Sequence, residues 1–97
     1  MAKKIIWSLN AQRDRKNILQ YWNKRNQSNR YSIKLNKLFK DAVKLISNYP
    51  RIGKLTNKEN IRIKIVKDYL IIYEDLENEI HILTIWDSRR NPLNLEY

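Results

Sequence analysis

The sequence predicts an α+β fold of order β-α-α-β-β-β, with two helices packed on one face of a small, mainly antiparallel four-stranded sheet. Two observations predict it. Apolar residues recur at steps of three and four through residues 31–49, the period of a helix with one buried stripe. Three β-branched-rich runs then follow at hairpin spacing, near residues 61–66, 69–74 and 79–86. At 97 residues there is room for one domain (1–97) and one core.

Residues 3–7 form the opening strand in this reading. Ser8 or Asn10 can cap the helix that follows, and Asp14 is placed in its first turn, where negative charge is favoured. That helix runs to about Lys24, with Ala11, Arg15, Ile18, Leu19 and Trp22 on one face. Asn26-Gln-Ser-Asn29 breaks it, and Ser28 offers a second N-cap. The second helix carries Tyr31, Leu35, Leu38, Phe39, Ala42, Leu45, Ile46 and Tyr49 as its apolar stripe. Lys34, Lys37, Lys40 and Lys44 lie off the stripe and read as a solvated face.

Pro50 ends the helix, and Gly53, the only glycine, permits a turn. Residues 56–59 are a polar loop, Lys67-Asp68 a tight turn, and Leu76-Glu77-Asn78 the second hairpin loop. Strand alternation assigns Ile61, Ile63 and Ile65 to the core and puts Arg62 and Lys64 on the opposite, open face. Flanked by Lys67 and by Arg89-Arg90, that face reads as a shallow basic surface.

Lys and Arg outnumber Asp and Glu by 20 to 10, a net charge of +10 that favours polyanions, anionic membranes or an acidic protein partner, without choosing among the three. With no cysteine, disulfides, thiolate metal sites and a cysteine nucleophile are excluded. His81, the only histidine, rules out two-histidine metal sites and acid–base pairs, and one glycine is too few for a phosphate-binding loop. Neither a metal nor a cofactor is expected. The segment Met1-Ala-Lys-Lys-Ile-Ile-Trp7 is too short in apolar residues for a signal peptide, and no run approaches a membrane span. The expectation is a soluble, cytoplasmic protein with no membrane partner.

One reaction class suits this residue set. RNA cleavage by its own 2′-hydroxyl needs no metal, but it needs an oriented base, a proton acceptor and stabilised phosphorane charge. Arg62, Lys64, Arg89 and Arg90 meet the electrostatic need. Tyr69, Tyr73, Trp86 and Tyr97 are candidates for stacking a base or moving a proton. Composition permits this chemistry without demanding it.

The order and spacing of several motifs carry a family resemblance: Ile6-Trp7-Ser8, the paired helices, Tyr49-Pro-Arg-Ile-Gly53, Ile61-Arg-Ile-Lys-Ile65, Tyr69-Leu-Ile-Ile-Tyr73, Ile80-His-Ile-Leu-Thr-Ile-Trp86 and Asp87-Ser-Arg-Arg-Asn-Pro92. Over nearly its whole length the chain resembles the RelE/ParE superfamily of bacterial toxins from type II toxin–antitoxin modules. The resemblance implies a toxin held inactive by a cognate acidic antitoxin. RelE-like members cut mRNA on the ribosome without a metal, whereas ParE-like members inhibit DNA gyrase. By resemblance, Arg62 and Lys64 match the basic strand pair, Arg89 or Arg90 the arginine after the last strand, and Tyr97 the late tyrosine. RelE-like nucleases place an arginine directly after the tyrosine that opens the next strand; here that residue is Leu70, and Lys67 replaces its charge but not its geometry. The sequence reading favours metal-independent, ribosome-associated mRNA cleavage. Gyrase inhibition without catalysis, or a degenerate toxin that only binds its antitoxin, are the alternatives.

Overall fold

The computed structural model describes residues 2–90. Their elements are β1 (Lys4–Trp7), α1 (Leu9–Asn26), α2 (Arg30–Asn48), a 3-10 turn (Pro50–Ile52), β2 (Lys54–Leu55), β3 (Ile61–Val66), β4 (Tyr69–Asp75) and β5 (Glu79–Asp87). The sheet has five strands in the order β1-β5-β4-β3-β2, with only the β1–β5 pair parallel. The extra strand is β2, whose two residues are too few to show any alternation. Neither helix is long and apolar enough to cross a membrane.

Local chemistry sets the helix ends. Ser8 caps α1 by accepting from the Ala11 amide, and its own hydroxyl donates to the Leu83 carbonyl of β5. α1 stops where Gln27 adopts a left-handed conformation (φ 50°). Asn29 is the N-cap residue of α2, one position later than expected, while the Ser28 hydroxyl accepts from the Arg30 amide. Asp14 is not in the first turn of α1. It sits deeper, where its carboxylate accepts from the Thr84 hydroxyl at 2.5 Å and the Ile85 amide at 3.1 Å, tying α1 to β5.

The core lies between the helices and one face of the sheet. Leu35, Phe39 and Ile46 of α2 are fully buried, as are Ile71 and Tyr73 of β4 and Ile80 and Ile82 of β5. Phe39 meets Tyr69 edge-on at 5.7 Å. The α2 stripe is rotated from the expected one: Ser32, Val43 and Ser47 are buried, while Leu45 and Tyr49 are exposed. Ser47 turns inward because its hydroxyl donates to the Lys3 carbonyl, 2.6 Å away, beside β1.

The face assignment of β3 is reversed for Arg62 to Ile65, although Ile61 at its start is buried as expected. Cross-strand partners share a face, and Arg62 pairs with Tyr73, Lys64 with Ile71 and Val66 with Tyr69, all core residues of β4. Arg62 and Lys64 therefore lie on the helix side. Ile63 and Ile65 lie on the outer face with Ile72 and Leu70, and Ile65 is 64% exposed. β3 stands next to the sheet edge, at the margin of helix cover, so cations on its helix side keep contact with solvent. A period of two reveals the alternation but not which half is covered. In β5, a bulge at Leu83 shifts the register, so that Ile72 opposes Thr84 and Tyr73 opposes Ile82.

Tyr73 forms a buried polar knot. Its buried hydroxyl donates to the Pro50 carbonyl at 2.7 Å and accepts from the Gly53 amide at 2.9 Å. A Cβ on Gly53 would lie 2.4 Å from that hydroxyl, so glycine is required for close approach; its φ of −72° is ordinary. Gly53→Ala should cost about 1–3 kcal/mol through overpacking, and Tyr73→Phe a similar amount by orphaning the Pro50 and Gly53 groups; denaturant unfolding measures both. Burial pushes the Tyr69 and Tyr73 phenols above their ordinary 10.0. Their raised folded values contribute stability that is complete below pH 10 and lost as pH rises through the folded values. The melting temperature should therefore fall above pH 10, and less steeply in Tyr73→Phe.

Candidate functional site

The predicted basic site divides into separate places. Arg62 is engaged in the fold: its Nη1 donates to the Gly53 carbonyl at 2.8 Å and the Arg51 carbonyl at 3.2 Å. This grip belongs to the Tyr73 knot, because both hold the 3-10 turn against β3 and β4. Lys64 lies two residues further along, half-buried on the same face.

The second place is the corner where β5 ends. Asp87 sits opposite Tyr69, which in turn sits opposite Val66, so the corner lies at the far end of β3 from Arg62. At about 3.4 Å per residue and 4.8 Å per strand, Arg62 stands roughly 13 Å along the sheet and 10 Å across it from the corner. Arg62 therefore does not converge with Arg89 and Arg90 on one phosphate.

The corner is built by a carboxylate. Asp87 accepts from Nε and Nη2 of Arg89 at 3.0 and 2.8 Å, and from the Arg89 amide at 2.9 Å. The hydrogen bonds from the Arg89 side chain hold the Asp87 carboxyl below its usual range, and Asp87 in return holds the guanidinium proton more tightly. The Asp68 carbonyl accepts from the Ser88 amide at 2.8 Å and fixes the chain leaving β5. The Arg90 guanidinium lies 5.6 Å from the Trp86 ring centroid, on a ring whose strand partner is Leu70. Lys67 is exposed in the β3–β4 turn, with φ 55°.

Two predicted stacking residues are core residues. Tyr69 is 2% exposed and its hydroxyl accepts from Trp22 Nε1 at 2.8 Å. Tyr73 is fully buried in its knot. Neither offers a ring face to a base, and the elevated phenol values make both poor proton acceptors. Tyr97 lies outside the described residues.

Sequence reasoning missed the wall facing the corner. A cleft of about 410 Å³ separates it from Asp14, Asn17, Ile18 and Tyr21 of α1. The Asp87–Arg89 clasp was readable from its spacing of two, but the α1 wall becomes visible only when α1 packs on β5. The corner is thus a charged surface of mixed sign. It gathers the Asp14 and Asp87 carboxylates, Tyr21 and the Arg89 and Arg90 guanidiniums around one cleft, with Asp14 engaged by Thr84 and Ile85 and Arg89 by Asp87.

The chain matches the family described as the ParE toxin of the type II toxin–antitoxin system, parDE, over residues 5–92. Its structure is similar to a chain of the chromosomal ParDE TA system from P. aeruginosa, with a TM-score of 0.77 over 91% of this chain and 98% of that one. At 15% identity that likeness concerns the fold. No curated protein matches the chain.

A chemical-shift titration tests the corner. The Asp87 carboxyl should titrate below 3.8 in the folded protein and move upward in Arg89→Ala. An unchanged midpoint would remove the clasp from the solution structure.

Proposed function

Because the chain belongs to the ParE toxin family of type II toxin–antitoxin systems, we propose that it arrests growth by binding DNA gyrase, with no catalysis of its own. The toxin role and the existence of an antitoxin partner follow from the family; the target is the proposal. One observation carries it: Arg62 is held by two backbone carbonyls, far along the sheet from Arg89 and Arg90, so the cations for a phosphoryl-transfer site are dispersed. Leu70 supports the same reading. It occupies the place where the RelE-like pattern has an arginine, and it pairs with Trp86 on the apolar outer face. A binding module needs neither a converged set of cations nor an arginine at position 70, whereas stabilising a phosphorane relies on preorganised charge.

In this reading the corner of Trp86, Arg89 and Arg90, with Lys67 beside it, meets the target. The antitoxin is an acidic, partly disordered partner that orders on binding and masks the basic body. Purified protein should block gyrase supercoiling, and induced cells should keep intact transcripts while signalling DNA damage. New transcript 5′ ends within translated codons, with normal supercoiling, would restore mRNA cleavage. Absence of both signatures, with antitoxin still bound, identifies a degenerate toxin.

Expression alone should stop growth, and co-expression with the adjacent antitoxin gene should restore it. Arg89→Ala with Arg90→Ala should abolish toxicity while changing stability by about 0.5 kcal/mol or less, since both side chains are exposed. Lys37→Ala with Lys44→Ala should leave toxicity intact, because Lys37 is occupied by Asp41 at 2.9 Å and both lie on the helix surface. Growth assays and thermal melts of the folded variants check both statements.

A further inference from the structure

We propose that the outer face of the sheet, turned away from the helices, takes a second copy of this chain. The two sheets pack face to face, each strand running against its own counterpart. That face is apolar through its middle. Ile63 and Ile65 of β3, Leu70 and Ile72 of β4 and Trp86 of β5 lie on it in neighbouring registers. None of them belongs to the core that the helices cover, and Ile65 is 64% exposed. A gathered apolar patch of this kind on a sheet face suits contact with another protein surface.

Charge decides the occupant. At the end of the face where β3 turns into β4, Lys67 is exposed, and Arg90 stands over the Trp86 ring of the same end. At the other end Glu77 is exposed in the β4–β5 loop, with Glu74 on β4 and Glu79 on β5 close to it in sequence. Asp68 at the first end and Lys4, opposite Glu79, at the second are the minority charges. Lys67, Glu74 and Glu77 enter no ion pair among the described residues. The 7 residues of β4 separate the two ends by roughly 24 Å.

A two-fold axis lying across the strands at Ile72 lays the basic end of each copy on the acidic end of the other. Lys67 and Glu77 are equidistant from Ile72 in the sequence, on loops offset by about one strand spacing, ~4.8 Å, which long side chains bridge. A phosphate backbone would meet an apolar middle and like charge at the acidic end, so the face does not suit nucleic acid. The net charge of +10 opposes association of like copies. At physiological ionic strength, however, the Debye length is about 8 Å, and repulsion between the two bodies is screened far more than pairs in contact. The packing covers Trp86 and Arg90, so the dimer withholds the corner from its target. Withholding rests on the proposed role of that corner; association does not.

Sedimentation velocity of the purified full chain across the micromolar range is the test. Wild type should form a dimer. Ile65→Lys should raise the dissociation constant at least about tenfold with an unchanged melting temperature, because it places an unpaired charge in the middle of the contact on a side chain the fold leaves exposed. Lys67→Glu and Glu77→Lys should each weaken the dimer, and the two together should restore it. A monomeric wild type overturns the proposal, and so does a dimer that Ile65→Lys leaves intact or a double variant that restores nothing. A monomeric wild type whose antitoxin binding Ile65→Lys abolishes overturns it too, and gives the face to the antitoxin. If Ile65→Lys lowers the melting temperature, Ile65→Ser replaces it with the same outcomes. In the supercoiling assay Glu77→Lys, at the far end from the corner, should inhibit at lower concentration than wild type; equal inhibition by a monomeric variant overturns withholding. If neither protein inhibits, the target reading falls, while sedimentation still decides the dimer.

Discussion

The buried hydroxyl of Tyr73 organises the half of the sheet that the helices cover least. It receives the Gly53 amide and donates to the Pro50 carbonyl, which holds the 3-10 turn after α2 against the middle of β4. The contact has no room for a side chain at position 53, so the chain's only glycine stands there. Once the turn is seated, the carbonyls of Arg51 and Gly53 face Arg62 and capture its guanidinium. β2 follows directly and pairs with β3 through Leu55 opposite Arg62. A buried hydroxyl with both partners satisfied is stable; with either removed it carries a desolvation cost. The position of Arg62 is thus a consequence of packing, and its distance from the C-terminal corner follows from it.

What was legible in the sequence was periodicity, and what was not was the side on which cover falls. The β-α-α-β-β-β order, the α2 stripe and the hairpins at residues 67–68 and 76–78 all follow from local pattern. Alternation in Ile61-Arg-Ile-Lys-Ile65 was equally clear, yet Ile63 and Ile65 face outward and only Ile61 is buried, because α2 reaches β3 only at the sheet margin. Buried serines at positions 32 and 47 were invisible for a related reason: each is admitted by specific partners, the Asn23 side chain and the Asn29 carbonyl for Ser32 and the Lys3 carbonyl for Ser47. Asp14 is the same lesson with a charge. Helix position alone suggests a dipole role, but tertiary packing gives it the Thr84 hydroxyl and the Ile85 amide.

The candidate site shows why residue type is weaker evidence than residue environment. Tyr69 and Tyr73 are the residue type needed for stacking and proton transfer, but they are also large amphipathic side chains on a covered sheet face. The core claims both, and hydrogen bonds from Trp22 and Gly53 satisfy their hydroxyls. Arg89 is exposed but held by Asp87, two residues away, which already occupies the two-point geometry a phosphate would need. A phosphate entering there must displace a carboxylate that is ionised even under mildly acidic conditions, because Arg89 lowers its affinity for a proton.

Net charge of +10 is therefore not one property but several local ones. Cations fixed by the fold contribute to the long-range field without being available for contact, and such a field raises encounter rates with any polyanion. At the end of β5 two adjacent cations show the difference: Arg89 is spent on Asp87, while Arg90 stands exposed over the Trp86 ring at 5.6 Å. The corner therefore mixes guanidinium, carboxylate and aromatic groups around one cleft, and a polyanion meeting it encounters less free positive charge than a count of its arginines suggests.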